Sequence, residues 1–274
     1  STGTVSFADG QTSVTIVVNI KGDSTVESDE TMTVTLSNAP ANSNIVTAAA
    51  STVLTNDDAG LTITPLLADK NEGNSAYVDY TFTVSRSGNG SQVSTVNWAV
   101  DAGIVNAVNG TDFYSSQPAG VSKDGNGIPY GSLTFASGET SKTITLRIAG
   151  DSTLEVDETL RVNLSNPSSG TEILGGTADG YVRNDDAEFN ITAGTATVVE
   201  GDNGHTGTAL TYTVTRTGYL SQTNTVNWGV GHTTTNVNDF TNGVAHFITP
   251  SGTLTFNSGV TTQTITVYAY GDTG

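Results

Sequence analysis

The chain has no cysteine. Neither a disulfide framework nor a thiolate metal site is available to it. Basic residues are scarce: nine Lys and Arg stand against 27 Asp and Glu in 274 residues, a net charge of −18. Binding to nucleic acid phosphates needs clustered Lys and Arg, as does docking on anionic membranes, so both partners are excluded. No apolar run reaches the roughly 20 residues of a transmembrane helix, so no membrane insertion is expected of this segment. No segment sustains a helical period. The histidines, His205, His232 and His246, lack ligand spacing, and no Ser or Thr has a His–acid pattern to activate it; no enzyme activity is expected. An initiator methionine and a leader are missing too, as in an excerpt or a mature product.

What is present is repetition. Gly22-Asp23-Ser24-Thr25-Val26-Glu27-Ser28-Asp29-Glu30-Thr31 returns 128 residues later as Gly150-Asp151-Ser152-Thr153-Leu154-Glu155-Val156-Asp157-Glu158-Thr159. Asn56-Asp57-Asp58 returns at the same spacing as Asn184-Asp185-Asp186. Thr95-Val96-Asn97-Trp98 returns as Thr225-Val226-Asn227-Trp228, and Val5-Ser6-Phe7, Leu133-Thr134-Phe135 and Leu254-Thr255-Phe256 form a third series. A period near 130 residues defines three units: the later part of one (1–58), a complete one (59–186) and the earlier part of another (187–274). The third unit is shorter before its Leu-Thr-Phe segment. The second unit's extra residues fall around Tyr114 to Tyr130, where Asp124-Gly125-Asn126-Gly127 marks a turn.

Within a unit, apolar residues alternate with Thr, Ser and Asn. Tyr80, Phe82 and Val84 share one face of a strand, as do Val96 and Trp98, Ile144, Leu146 and Ile148, and Leu160, Val162 and Leu164. About seven such strands per unit, joined by Gly, Asn and Asp turns, predict an all-β fold of tandem immunoglobulin-like antiparallel sandwiches. By the same equivalence residues 1–23 of the first unit should form strands like those at 251–272. A part-sandwich leaves apolar faces and edges open, to be covered by neighbouring repeats of a longer chain or of an identical chain.

The string Asp-x-x-x-Glu-x-Asp-Glu-Thr-Leu-x-Val-x-Leu-Ser-Asn, closed by Asn-Asp-Asp, resembles the Calx-beta repeat. That repeat occurs in sodium–calcium exchangers, an integrin cytoplasmic tail and many bacterial surface proteins. Gly110 to Phe113 and Leu133 to Thr140 fit the same pattern. The resemblance spans essentially the whole chain, and it implies immunoglobulin-like sandwiches that bind Ca2+ through loops at one end.

Chemistry argues in the same direction. Calcium takes six to eight oxygen ligands in flexible geometry. Like charges about 4 Å apart repel by ~4 kcal/mol at an effective dielectric near 20, and a cation reverses that cost. The pattern, carried across, names Glu72, Asp101, Asp151, Glu155, Asp157, Glu158, Asp185 and Asp186 as metal ligands in the second unit. In the first it names Asp23, Glu27, Asp29, Glu30, Asp57 and Asp58, and in the third Glu200 and Asp272. Gly150-Asp151-Ser152 replaces the exchanger repeat's run of aspartates, which implies fewer ions per unit. Asp101 gives way to Gly231 or His232 in the third unit; Asp112 and Asp239 can instead bond their own loops.

Trp98 and Trp228 are in phase with inward Val96 and Val226 and are expected in the core rather than as sugar platforms. Tyr114, Tyr130 and Tyr219 are loop aromatics. Three functions follow. The first is a calcium-rigidified structural array, a stalk, fibre or adhesin segment, extracellular or on a bacterial cell surface. The second is an adhesion module whose loops bind carbohydrate or a surface protein, and the third is a calcium sensor.

Overall fold

The computed structural model describes residues 2–194, 197, 199, 208–231, 235, 240–241 and 249–269. In chain order the first strands are β1 (Glu30–Thr35) and β2 (Ala49–Leu54). Ten follow in the second unit: β3 (Ala59–Leu67), β4 (Asp69–Asn71), β5 (Tyr77–Gly88), β6 (Ser94–Val100), β7 (Val121–Lys123), β8 (Pro129–Phe135), β9 (Ser141–Ala149), β10 (Glu158–Ser165), β11 (Thr171–Gly175) and β12 (Thr177–Arg183). The third unit has β13 (Ala187–Ala193), β14 (Thr208–Gly218), β15 (Asn224–Gly229), β16 (Phe240–Thr241), β17 (Ser251–Phe256) and β18 (Thr262–Ala269).

The second unit is a sandwich of two sheets, ordered β4-β12-β10-β6-β8-β7 and β11-β3-β5-β9. Period-two alternation builds its core. Tyr80, Phe82 and Val84 of β5, with Leu146 and Ile148 of neighbouring β9, meet Val96, Trp98, Leu160 and Val162 from the other sheet, all buried. Each such side chain contributes about 1.5–3 kcal/mol by leaving water. Trp98 is 3% exposed, so it is a core residue. Its counterpart Trp228 packs against the smaller core of the third unit, around Val214, Phe256, Ile265 and Val267.

Most pairs are antiparallel, but β11 pairs β3 in parallel and β12 pairs β4 in parallel. The turn expected at Asp124 to Gly127 connects β7 to β8, with the Asp124 carboxylate accepting the amides of Asn126 and Ile128, each at 2.8 Å.

One expectation fails. Residues 2–29 hold no strand, although Val5-Ser6-Phe7 and the segment after it match strands of the other units. In the second unit Leu133-Thr134-Phe135 pairs with β6, and β9 pairs with β5. Among the described residues these segments of the first unit find no pairing partner. Phe7, Ile16 and Val17 are accordingly exposed. Among the described residues of the first unit, the strands that form are those of the β1–β2 hairpin, which are partners of each other.

Candidate metal centre

Parallel pairing of β4 with β12 sets Arg183 beside Asn71, so the two strands end side by side. The chain leaving β4 is Glu72-Gly73-Asn74, and the chain leaving β12 is Asn184-Asp185-Asp186. Residues more than a hundred positions apart therefore share one pole. The Glu72 amide donates to the Arg183 carbonyl at 3.1 Å. The Gly73 amide donates to Asp185 Oδ1 at 3.0 Å, and the Asn74 side-chain amide donates to Asp186 Oδ1. One carboxylate oxygen from each of Glu72, Asp185 and Asp186 lies within 4.8 Å of the others. Glu72 is 5% exposed and Asp186 4%. Asp186 Oδ2 is buried without a hydrogen-bond partner.

The acidic turn after β9 closes over this trio. Gly150 makes that approach possible: a Cβ there would sit 2.3 Å from the Gly73 carbonyl oxygen. Asp151 Oδ1 caps the turn by accepting the Thr153 amide at 2.6 Å. Asn184 then clasps turn and linker together. Its Oδ1 accepts the Glu155 amide at 3.1 Å, its side-chain amide donates to the Asp186 carbonyl at 3.1 Å, and its own amide donates to Asp157 Oδ1 at 3.1 Å.

Charge accumulates where water is excluded. Burial, then the charges of Glu155, Asp151, Asp186 and Asp185, push Glu72 up to about 7. Burial, then Asp112, Asp151 and Asp186, raises Glu155. Burial, then Asp185, raises Asp186, against the pull of Asn74. Glu158 is raised by burial and by Asp112, with which it shares a hydrogen bond. Two carboxylates 4.8 Å apart repel by roughly 3 kcal/mol at an effective dielectric near 20. No basic side chain enters as a cause for any of these four groups. Hard oxygen donors, buried and mutually repelling, with one oxygen lacking a partner, suit a hard divalent cation such as calcium.

The structure sorts the residues named from the sequence. Glu72, Asp185 and Asp186 form the trio, with Asp151, Glu155 and Glu158 in electrostatic contact with it. Asp157 is engaged at both oxygens: beside the Asn184 amide on Oδ1, its Oδ2 accepts Arg183 Nη1 at 2.8 Å, and Arg183 also grips Asp69 at 2.8 and 3.1 Å. Asp101 lies apart, accepting from Gly103 and Asn163 near Arg161. Glu200 and Asp272, like His205, His232, His246 and Asp239, fall outside the described residues. Asp112 binds its own loop through the Asn109 amide and also reaches Glu158, a second role that its loop position did not reveal. Asn74 and Asn184 are not among the expected site residues either; for Asn184, the Asn repeated before both Asp-Asp pairs was the available signal.

The first unit repeats the clasp. The Glu27 amide donates to Asn56 Oδ1 at 3.1 Å, the Asn56 amide to Asp29 Oδ1 at 2.8 Å, and its side chain to the Asp58 carbonyl at 2.8 Å. The hollow beside it, about 190 Å³, is lined by Asp23, Glu27, Glu30, Asp57 and Asp58 among others. Asp58 is buried, and burial followed by Asp57, Asp23 and Glu172 raises it.

Three stretches of the chain, residues 1–59, 124–195 and 183–273, match the family model of the Calx-beta domain. Among solved structures, CBD12 from CALX1.2 is 19% identical with a TM-score of 0.39, over 77% of this chain and 74% of that one. The apo-form Calx CBD1 domain is 22% identical with a TM-score of 0.37, over 47% of this chain and 99% of that one. The calcium binding domain CBD12 of CALX1.1 is 20% identical with a TM-score of 0.36, over 69% of this chain and 68% of that one. Comparison with curated proteins gives no match. The matched stretches take in well over half of the residues, and the chain belongs to the Calx-beta domain family.

Proposed function

We propose that this chain is a calcium-binding, calcium-rigidified array of structural repeats, divided as 1–58, 59–186 and 187–274, in a stalk, fibre or adhesin segment of a secreted or cell-surface protein of a bacterium. One observation carries the reading: Glu72, Asp185 and Asp186, from the two ends of one unit, converge within 4.8 Å at the point where the next unit begins. A cation there ties β4 and the unit's last strand, β12, to the linker, so ion binding and folding are linked. The array role is non-catalytic. Asp185 and Asp186 lead directly into β13, which makes the ion a brace at a very short joint.

The test is thermal melting of the chain in calcium and in chelator. With an affinity of about 10⁻⁴–10⁻³ M, in the range of extracellular modules, millimolar calcium raises the midpoint by several degrees. An unchanged midpoint rejects the brace. A sensor would in addition change its scattering profile on binding, and a glycan-binding module would lose ligand on substitution of exposed Tyr130.

A further inference from the structure

The acidic turns carry an apolar residue at the same place, Val26 in the first and Leu154 in the second. Both reach out of their own unit. A Cβ built on Gly88, at the end of β5, would lie 3.0 Å from Val26 Cγ1 and 2.5 Å from the Asp58 carbonyl oxygen. A Cβ built on Gly218, at the end of β14, would lie 2.5 Å from Leu154 Cδ1 and 2.5 Å from the Asp186 carbonyl oxygen. These glycines sit at φ +71° and +86°, the left-handed region where a side chain is disfavoured. The residue after each glycine donates its amide to the same linker carbonyl, Asn89 to Asp58 and Tyr219 to Asp186, both at 2.8 Å. The contact is thus built twice, at both junctions, from residues 128 and 130 positions apart.

We infer that Val26 and Leu154 are docking residues: each seats its acidic turn on the bare glycine corner of the following unit and so fixes the orientation of one repeat on the next. The seat is shaped for this. A glycine without Cβ opens a shallow socket, the left-handed turn aims its amide partner at the linker, and the branched side chain fills the space. The turn then has two faces. Its backbone and carboxylates belong to the acidic pole of its own unit, and its apolar residue belongs to the neighbour. The Glu155 amide next to Leu154 is held by Asn184, so ordering of the pole and seating of Leu154 involve one short stretch of backbone. Val156 in the same turn, 66% exposed, serves as the contrasting position. The role assigned to calcium here rests on the proposed function; the docking contact does not.

The experiment exploits the absence of cysteine. Thr134→Cys and Thr255→Cys, at exposed positions of β8 and β17, place one spin label in each of two adjacent units. Pulsed dipolar distance distributions are recorded in calcium and in chelator, for the otherwise unchanged chain, for Leu154→Ala and for Val156→Ala. Leu154→Ala should broaden the distribution in calcium at least twofold, while Val156→Ala leaves its width unchanged. Equal widths for Leu154→Ala and the parent overturn the docking role. Isothermal titration with calcium is run on the same samples. If the parent takes up no calcium, the proposed brace fails, and the comparison of widths still decides the docking contact. Circular dichroism melting of Leu154→Ala, with both sandwich transitions retained, separates lost docking from lost folding.

Discussion

The junctions at Asp58 and Asp186 share a clasp and differ in what it encloses. Asn56 and Asn184 make the same side-chain contacts to turn and linker, at distances agreeing within 0.3 Å. At the second junction the clasp closes on Glu72 and Asn74, which arrive from the start of the same unit. At the first junction no counterpart of Glu72 or Asn74 stands among the described residues, and Asp23, Glu27, Glu30 and Asp57 are exposed around an open hollow. The clasp is local, written in two motifs about thirty residues apart. The cation site is not local: it needs both ends of a unit, and the parallel pairing of β4 with β12 delivers the missing end.

The closed pole predicts a response to pH in chelator. Glu72 is raised in the folded state to about 7 from an ordinary 4.5, so the native protein binds more protons than the unfolded chain between those values. A carboxyl raised on folding contributes stability below its unfolded pKa and loses it as pH climbs through the folded value. The cost for Glu72 is on the order of 3 kcal/mol, and Glu158 and Glu155 move in the same direction. The second unit should therefore melt lower at pH 8 than at pH 5 when calcium is removed. Calcium should flatten that slope. A metal-free midpoint that rises from pH 5 to pH 8 breaks the account of the pole as a cluster of repelling, buried carboxylates.

Next in size is the contrast between equivalent aspartates. Asp186→Asn removes a ligand from the closed site, and Asp58→Asn makes the same change in the open one. At calcium a hundredfold above the dissociation constant a bound ion stabilises by about 2.7 kcal/mol. Asp186→Asn should forfeit most of that increment and, in chelator, melt no lower than the parent because a repulsion has gone. Asp58→Asn should leave the calcium increment within about 0.5 kcal/mol of the parent. Equal losses from the two variants, read by melting at matched calcium, would mean that the open hollow also binds and that Glu72 is dispensable.

How far the sequence carried these conclusions depends on range. Alternation is a property of neighbours, so the faces of Tyr80, Phe82 and Val84 or of Leu160 and Val162 could be read directly, and all are buried. Repetition exposed both acidic turns and both Asn-Asp-Asp linkers. Strand propensity misled at residues 2–29, because a strand needs a partner and these residues pair with none of the described strands. The short β4, Asp69-Lys70-Asn71, is wholly polar and gave no signal, yet it sets the position of Glu72. Asp112 and Asn74 are single residues in loops, brought in by topology. Asp157 looked like its neighbours in the turn, and only its pairing with Arg183 sets it apart.

That pairing supplies the smallest test. Arg183 bridges Asp157 and Asp69, while the first junction has Thr55 at the equivalent place, and Asp29, the counterpart of Asp157, is exposed. The bridge partners stay more than half exposed, 52% for Asp157 and 58% for Asp69. Solvent screening holds such a pair to about 0–1 kcal/mol despite its short distances. Arg183→Thr makes the second junction resemble the first at this position, and it should lower the urea-unfolding free energy by less than about 1 kcal/mol. The loss should shrink further at 1 M salt, where the Debye length is about 3 Å. The substitution also frees Asp157 beside the acidic turn, so calcium affinity should hold or rise by up to threefold in titration. A fall in affinity would show that Arg183 holds the turn in its binding shape, and the two junctions would then differ in the clasp as well as in what it encloses.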